Sequence, residues 1–260
     1  MPELPEVEAL RRSLDDPVRA FPIEQAGPAH IATLKTFDPP LAVLEGRRLV
    51  GAERRAKRLL FPTEDGELVL LVHLMSAGRI RYLRAGEAGP KTAAFRVRFQ
   101  GGGQLVLTEA GAKKRAGVWL LTPEQVDLEL CHLGPEALGL GEERLGEILA
   151  TEQRRLHSLL RDQRVIAGIG RAWANEILHT AGLSPFATAQ GLTPGQVETL
   201  AEAGFRAKVG VTVIAILREP EPVSGARPDD VIQQGDTLVT VGKAKQYAPF
   251  RRMLEGETPA

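Results

Sequence analysis

Residues 117–130, GVWLLTPEQVDLEL, hold the change of pattern that decides the fold. Gly117–Leu121 closes a region of short apolar runs. Thr122 then offers a helix cap, and Pro123 sits just inside the helix start, where its missing N–H costs little. Upstream, the stretches at 44–61, 66–75, 78–83, 93–99 and 103–108 are short or alternating and are punctuated by Gly, Pro, Asp and Glu. They predict antiparallel sheets, as a sandwich or barrel-like pair. Downstream, residues 122–130, 142–162, 171–182 and 193–219 carry apolar spacings near 3.6, with Pro194 behind a second Thr cap and Gly182 as a helix stop. A further helix is predicted over 3–14, where Leu4, Val7, Leu10 and Leu14 share a face and Glu3 and Glu6 favour the N-terminal end.

The expected class is therefore α+β. An N-terminal helix and an antiparallel β-sandwich occupy residues 1–121, a linker 122–134 and a helical unit 135–218. An exposed loop over 219–230 precedes a terminal hairpin made from TLVTV and KQYAPF around Gly242.

Composition narrows the function. The chain has 260 residues, 43% of them apolar, which suffices for a buried core. Lys and Arg number 33 against 33 Asp and Glu, so a polyanionic partner has to be met by local basic patches. Such asymmetry exists: residues 46–58 carry Arg47, Arg48, Arg54, Arg55, Lys57 and Arg58 against Glu53 alone, while 122–152 is acidic and is expected to face away. Cys131, the one cysteine, excludes a disulfide framework and a CxxC zinc site, fits a reducing compartment, and is read as buried packing. No apolar run approaches the ~20 residues of a membrane span, and MPELPEVEALRRSL is too acidic for a signal peptide. A cytoplasmic monomer with no cofactor and no membrane partner is expected.

The N-terminus carries the most unusual chemistry. Removal of Met1 exposes a secondary amine at Pro2. Such an amine adds to an aldehyde carbon and gives an iminium, an electron sink. Glu3 and Glu6, one turn apart, are placed to move protons. Residue chemistry alone favours reading Pro-Glu as an ordinary helix start, because Pro near a helix start is common.

MPELPEVE resembles the N-terminus of the formamidopyrimidine-DNA glycosylase / endonuclease VIII family of bifunctional base-excision repair enzymes. Further segments resemble that family in collinear order: 52–61 AERRAKRLLF, 73–79 HLMSAGR, 107–120 LTEAGAKKRAGVWL, 133–138 LGPEAL and 165–186 VIAGIGRAWANEILHTAGLSPF. The resemblance implies a catalytic sandwich domain followed by a helix–two-turn–helix domain, with damaged double-stranded DNA as partner. It implies that Pro2 attacks C1′ of the damaged nucleotide, that Glu3 protonates the opened sugar, that Glu6 supports, and that Lys57 clamps a phosphate beside the lesion. Met75, or its neighbour Ser76, fills the gap left by a flipped nucleotide; a core methionine is the competing reading. Lys113, Lys114 and Arg115 lie on the loop that probes the opposite strand. Gly168 and Gly170 let backbone approach a DNA phosphate at the N-terminus of the next helix, with Arg171 where the family has asparagine; a tight helix–helix turn is the alternative. Trp173 is read as packing.

Two departures stand out. The tail has no cysteine and no histidine, so the family's zinc finger is replaced by a metal-free hairpin over about 236–249, with Lys243, or else Lys245, in the DNA-contacting role. Lys-Lys-Arg-Ala-Gly stands where the family carries Arg-Arg-Phe-Gly, which leaves the preferred lesion and opposite base open. The alternative function is a family member that binds lesions or abasic sites with weak or specialised catalysis.

Overall fold

The structure is a computed structural model that describes residues 2–111, 113–204, 212–217 and 237–241. Helix α1 (Leu4–Arg19) opens it. Glu6 accepts the Glu3 N–H at 2.8 Å, closing the first turn, and Leu4, Val7, Leu14 and Val18 are buried along one side. The helix runs past the predicted end, through Pro17, because Val18 remains in the core.

Eight strands follow: β1 (Ile23–Ala29), β2 (Glu53–Arg55), β3 (Arg58–Pro62), β4 (Val69–His73), β5 (Gly78–Leu83), β6 (Phe95–Phe99), β7 (Gln104–Glu109) and β8 (Gly117–Leu121). They form two antiparallel four-stranded sheets, ordered β1-β6-β7-β5 and β2-β3-β4-β8. Alternation places Phe95, Val97, Phe99, Leu105 and Leu107 of one sheet against Leu59, Phe61, Leu70, Val72 and Leu120 of the other. Val7, Leu14 and Val18 of α1 close that core at one end. Strand β1 escapes sequence reading because Gly27-Pro28 interrupts its alternation.

Helix α2 (Pro123–Leu130) begins at the predicted Thr122 cap, whose hydroxyl accepts from Gln125 N–H. Its Val126 packs on Leu60, Val69, Leu71 and Leu121, the outer face of the second sheet. Helices α3 (Glu142–Ala150), α4 (Leu156–Leu160), α5 (Arg171–Thr180) and α6 (Pro194–Gly204) build a second core from Leu145, Leu149, Leu156, Leu159, Ile177 and Leu178. Leu4 of α1 belongs to that second core, so the first turn of the chain is bolted into the helical half. No helix among the described residues is long and apolar enough to cross a membrane.

Four expectations need correction. Residues 212–217, predicted helical, form strand β9 (Thr212–Leu217), since β-branched Thr212, Val213, Ile214 and Ile216 favour a strand over a helix. The TLVTV run is strand β10 (Thr237–Val241), as predicted, but it pairs antiparallel with the upstream β9. The rest of the predicted hairpin, with Lys243 and Lys245, lies outside the described residues. Cys131 is exposed at the end of α2 instead of buried. The acidic segment does not wholly face away: Glu136 binds Arg54 at 2.8 Å and Arg55 at 3.2 Å.

Candidate active site between the sandwich and the helical half

Three segments meet where α1 begins. Glu3 is buried, and its carboxylate accepts backbone N–H groups from Gly170 (3.0 Å), Ala172 (2.9 Å) and Trp173 (2.9 Å). These donors belong to the first turn of α5, which has no internal acceptors for them, and the positive end of the helix dipole favours an anion there. The close approach requires glycine. A Cβ on Gly170 would lie 2.4 Å from Glu3 Cδ, and one on Gly168 would lie 2.3 Å from Leu4 Cδ1. Gly168 also has φ +108°, outside the range of ordinary side chains. The sequence reading gave these two glycines to a DNA phosphate. The structure gives the space beside them to the chain's own Glu3 and Leu4.

Lys57 enters from the turn between β2 and β3. It is buried, and its Nζ donates to the Ile169 carbonyl at 2.8 Å. Burial pulls its ammonium below the ordinary lysine value, against the opposing charge of Glu3. The preceding Ala56 holds φ +51°, a left-handed conformation uncommon for a residue with a Cβ. Glu136 fixes that turn by accepting the Ala56 N–H at 2.5 Å. Gln163 holds the opposite wall: its Nε2 donates to Ile169 O at 2.6 Å and its Oε1 accepts from Gly168 N at 3.0 Å. Pro2, half-buried, directly precedes Glu3, and Glu6 is exposed one turn on.

The arrangement places a prospective secondary amine next to a carboxylate held at three points, with a buried ammonium bonded to the adjoining turn. An amine nucleophile, a proton-handling carboxyl and a cation for a phosphate are the parts of amine-based covalent catalysis on a charged substrate.

Residues 1–115 match the model of the formamidopyrimidine-DNA glycosylase N-terminal domain, and residues 133–207 that of the formamidopyrimidine-DNA glycosylase H2TH domain. Curated relatives include a formamidopyrimidine-DNA glycosylase of Teredinibacter turnerae, 35% identical over 78% of this chain and 75% of the relative. The same enzyme of Moorella thermoacetica is 34% identical over 77% of this chain and 74% of the relative. The chain belongs to the formamidopyrimidine-DNA glycosylase family. Solved structures agree on the fold. A Lactococcus lactis formamidopyrimidine-DNA glycosylase bound to AP-site DNA superposes with a TM-score of 0.70 at 24% identity, covering 78% of each chain. A MutM in complex with DNA containing carbocyclic 8-oxo-G gives 0.70 at 25% identity, covering 78% of this chain and 76% of that one.

The tail is different in kind. Residues 198–255 match the model of a TrkA-C domain. The paired β9 and β10 fall inside that match, where a family-type finger was expected.

The remaining candidates of this glycosylase-family chain lie on separate turns and loops and at the start of α5. Met75 sits in the turn between β4 and β5 with φ +51°, partly exposed and outside the buried core. Ser76 beside it is exposed. Lys113 and Arg115 are exposed on the loop between β7 and β8. Lys114 instead folds back, its Nζ donating to the carbonyls of Glu109 (2.6 Å) and Gly111 (2.7 Å). Arg171 is exposed at the first position of α5, and Trp173 packs against the helical core as read. His73, on β4 opposite Arg58, was missed: burial and the Arg58 and Lys57 charges lower its pKa to about 4, so it is neutral at pH 7. Glu136, Gln163 and Glu109 were also missed: Glu136 and Glu109 lie inside quoted segments, but each of the three acts by holding a backbone turn, which its residue type does not reveal.

Proposed function

We propose that this protein is a DNA glycosylase of base-excision repair with AP-lyase activity, acting on a damaged base in duplex DNA. The observation that carries the reading is the placement of Glu3, buried beside Pro2 and held by three N–H groups of α5, with Lys57 on the adjoining carbonyl. Once Met1 is removed, the Pro2 nitrogen attacks C1′ of a flipped nucleotide. The N-glycosidic bond breaks and its electron pair leaves with the base, the proton shed by the Pro2 nitrogen passes to Glu3, and Glu3 gives it to O4′ as the C1′–O4′ bond opens. The resulting iminium acidifies the C2′ proton. Loss of that proton drives elimination of the 3′ phosphate, alone or followed by the 5′ phosphate, and water then releases Pro2. Lys57 holds a phosphate beside the lesion, and Arg171 holds another from the start of α5. Met75 fills the space that the flipped base leaves. Lys113 and Arg115 meet the opposite strand.

Borohydride reduction tests this reading. Incubation with abasic duplex and borohydride is expected to cross-link the chain through residue 2, and N-terminal acetylation or retention of Met1 to abolish the adduct. A full-strength adduct on a blocked N-terminus moves the nucleophile elsewhere. Lesion binding with no adduct from a free N-terminus favours a recognition module over an enzyme.

A further inference from the structure

The two sheets differ on their outer faces. That of β2-β3-β4-β8 is apolar and covered by α2. That of β1-β6-β7-β5 carries Arg79 and Arg81 on β5 and Arg96 and Arg98 on β6. Register places Arg81 and Arg96 on either side of Val106. Val106 has no exposed surface although it lies outside the sandwich core. The arginine stems cover it while the guanidinium groups stay in water.

None of these four arginines meets a carboxylate among the described residues. Arg79 donates to the Gly78 carbonyl at 2.8 Å, Arg96 to the Pro90 carbonyl at 2.9 Å, and Arg98 to Gln25 Oε1. Several arginines elsewhere are paired: Arg11 with Glu8, Arg47 with Asp65, Arg54 with Glu136, Arg154 with Asp162. The acids on or near this sheet are Glu24, exposed on β1, Glu109, buried at the end of β7 and bonded to the Arg115 and Ala116 N–H groups, and Glu87, which accepts the Arg84 N–H at 3.1 Å. In a chain of 33 cations and 33 anions, an unpaired four-arginine face is a segregated charge. A hollow of about 1030 Å³ runs from Arg96 and Arg98 past Lys91 and His30 to Glu109 and Lys114. The face is thus continuous with the loop between β7 and β8.

We propose that this arginine face is a second DNA track, holding phosphates of the lesion-bearing duplex beyond the probing loop. The inference rests on the functional reading above. Guanidinium groups match phosphate oxygens in forked geometry and stay charged at any working pH. The continuity with a loop that meets the opposite strand favours duplex DNA over an acidic protein segment. The track also supplies cationic contact area in a chain whose tail matches a TrkA-C domain in place of a finger.

The test compares lesion duplexes of about one helical turn (~10 base pairs) and about three (~30). Affinity is measured against salt for wild type, for an R81Q/R96Q/R98Q variant and for an R81K/R96K/R98K variant. Wild type is expected to show a steeper salt slope on the long duplex than on the short one. The Gln variant is expected to lose about three units of slope on the long duplex and at least tenfold in affinity at 0.15 M salt. Short-duplex binding and excision stay at the wild-type level, and the Lys variant keeps the slope. Thermal melting of both variants confirms that covering Val106 is not the cause. A Gln variant with the wild-type slope on the long duplex overturns the proposal, whether the face is merely solvated or takes an acidic protein. If wild type excises nothing from either duplex while the slope still depends on the arginines, the catalytic reading fails and the track stands.

Discussion

Gly170 and Glu3 are 167 positions apart, yet the Gly170 N–H donates to the Glu3 carboxylate at 3.0 Å, and no side chain fits between them. The contact joins the first turn of α1 in the sandwich half to the first turn of α5 in the helical half. The site therefore exists only when both halves are docked. A Gly170→Ala methyl would stand 2.4 Å from the Glu3 carboxyl carbon. Relief requires Glu3 to move or α5 to shift, and displacement on the scale of 1 Å costs catalysis about 10²-fold. Excision is expected to fall by that factor, with a stability loss of about 1–3 kcal/mol from overpacking. Gly195→Ala is the control: a Cβ there meets nothing within 4 Å, and both excision and melting should hold.

His73 sets a pH dependence. Its pKa is about 4 in the fold against 6.5 for the free side chain. Between those values the unfolded chain binds more protons, so folding stability falls as pH drops from 6.5 toward 4 and is complete above 6.5. The full loss is on the order of 3 kcal/mol. His73→Gln is expected to flatten the melting temperature across that window. A variant whose melting tracks wild type in parallel from pH 7 to pH 4 excludes His73 as the source.

Glu136, just past the linker, ties the start of the helical unit to the turn that presents Lys57. Its carboxylate meets Arg54, Arg55 and the Ala56 N–H. The Arg54 side chain is only 8% exposed, and it bridges onward to Glu8 at 3.0 Å. Removing the central acid leaves a largely buried guanidinium with one partner fewer. Glu136→Ala is expected to cost roughly 2–4 kcal/mol in denaturant unfolding. Lesion binding should weaken with it, because Ala56 loses the acceptor that holds its left-handed conformation. Glu142→Ala, an exposed acid at the start of α3, is expected to do neither.

The elements that position the site were legible wherever local chemistry and tertiary need agree. Thr122-Pro123 marks α2, Thr193-Pro194 marks α6, and short apolar or alternating runs mark β3 through β8. Glu3 was legible as a chemical residue, but its hydrogen-bond partners were not, since nothing at residues 168–173 says which anion sits there. Gly168 and Gly170 read as phosphate-binding on local grounds because a backbone carboxylate contact and a phosphate contact demand the same glycine and the same helix end. The arginine face was invisible for a different reason. Its members alternate with apolar residues on separate strands and converge only through register. Residues 212–217 were assigned wrongly because their apolar run fits either period, and β-branching should have decided it.

Glu109 carries the last prediction. It ends β7, is buried at 8% exposure, and accepts the Arg115 N–H with both oxygens (3.0 and 2.9 Å) and the Ala116 N–H at 3.0 Å. Lys114 closes the same loop from the other side through the carbonyls of Glu109 and Gly111. The loop that bears Lys113 and Arg115 is thus shaped by one carboxylate bonded to its backbone N–H groups, which makes Glu109 a positioning residue. Glu109→Gln replaces one acceptor oxygen by an NH₂ facing N–H donors, leaving a buried amide unsatisfied at a cost of about 1–3 kcal/mol. The expected result is a loop that no longer holds Arg115 in register. Excision rates on one lesion placed opposite each of the four bases should converge, while excision from a single-stranded lesion substrate stays at the wild-type rate. Glu109→Asp, which keeps both oxygens, should recover part of the spread. If Glu109→Gln lowers the melting temperature yet preserves the wild-type ratios across the four opposite bases, Glu109 supports the sandwich and the loop reads its partner strand without it.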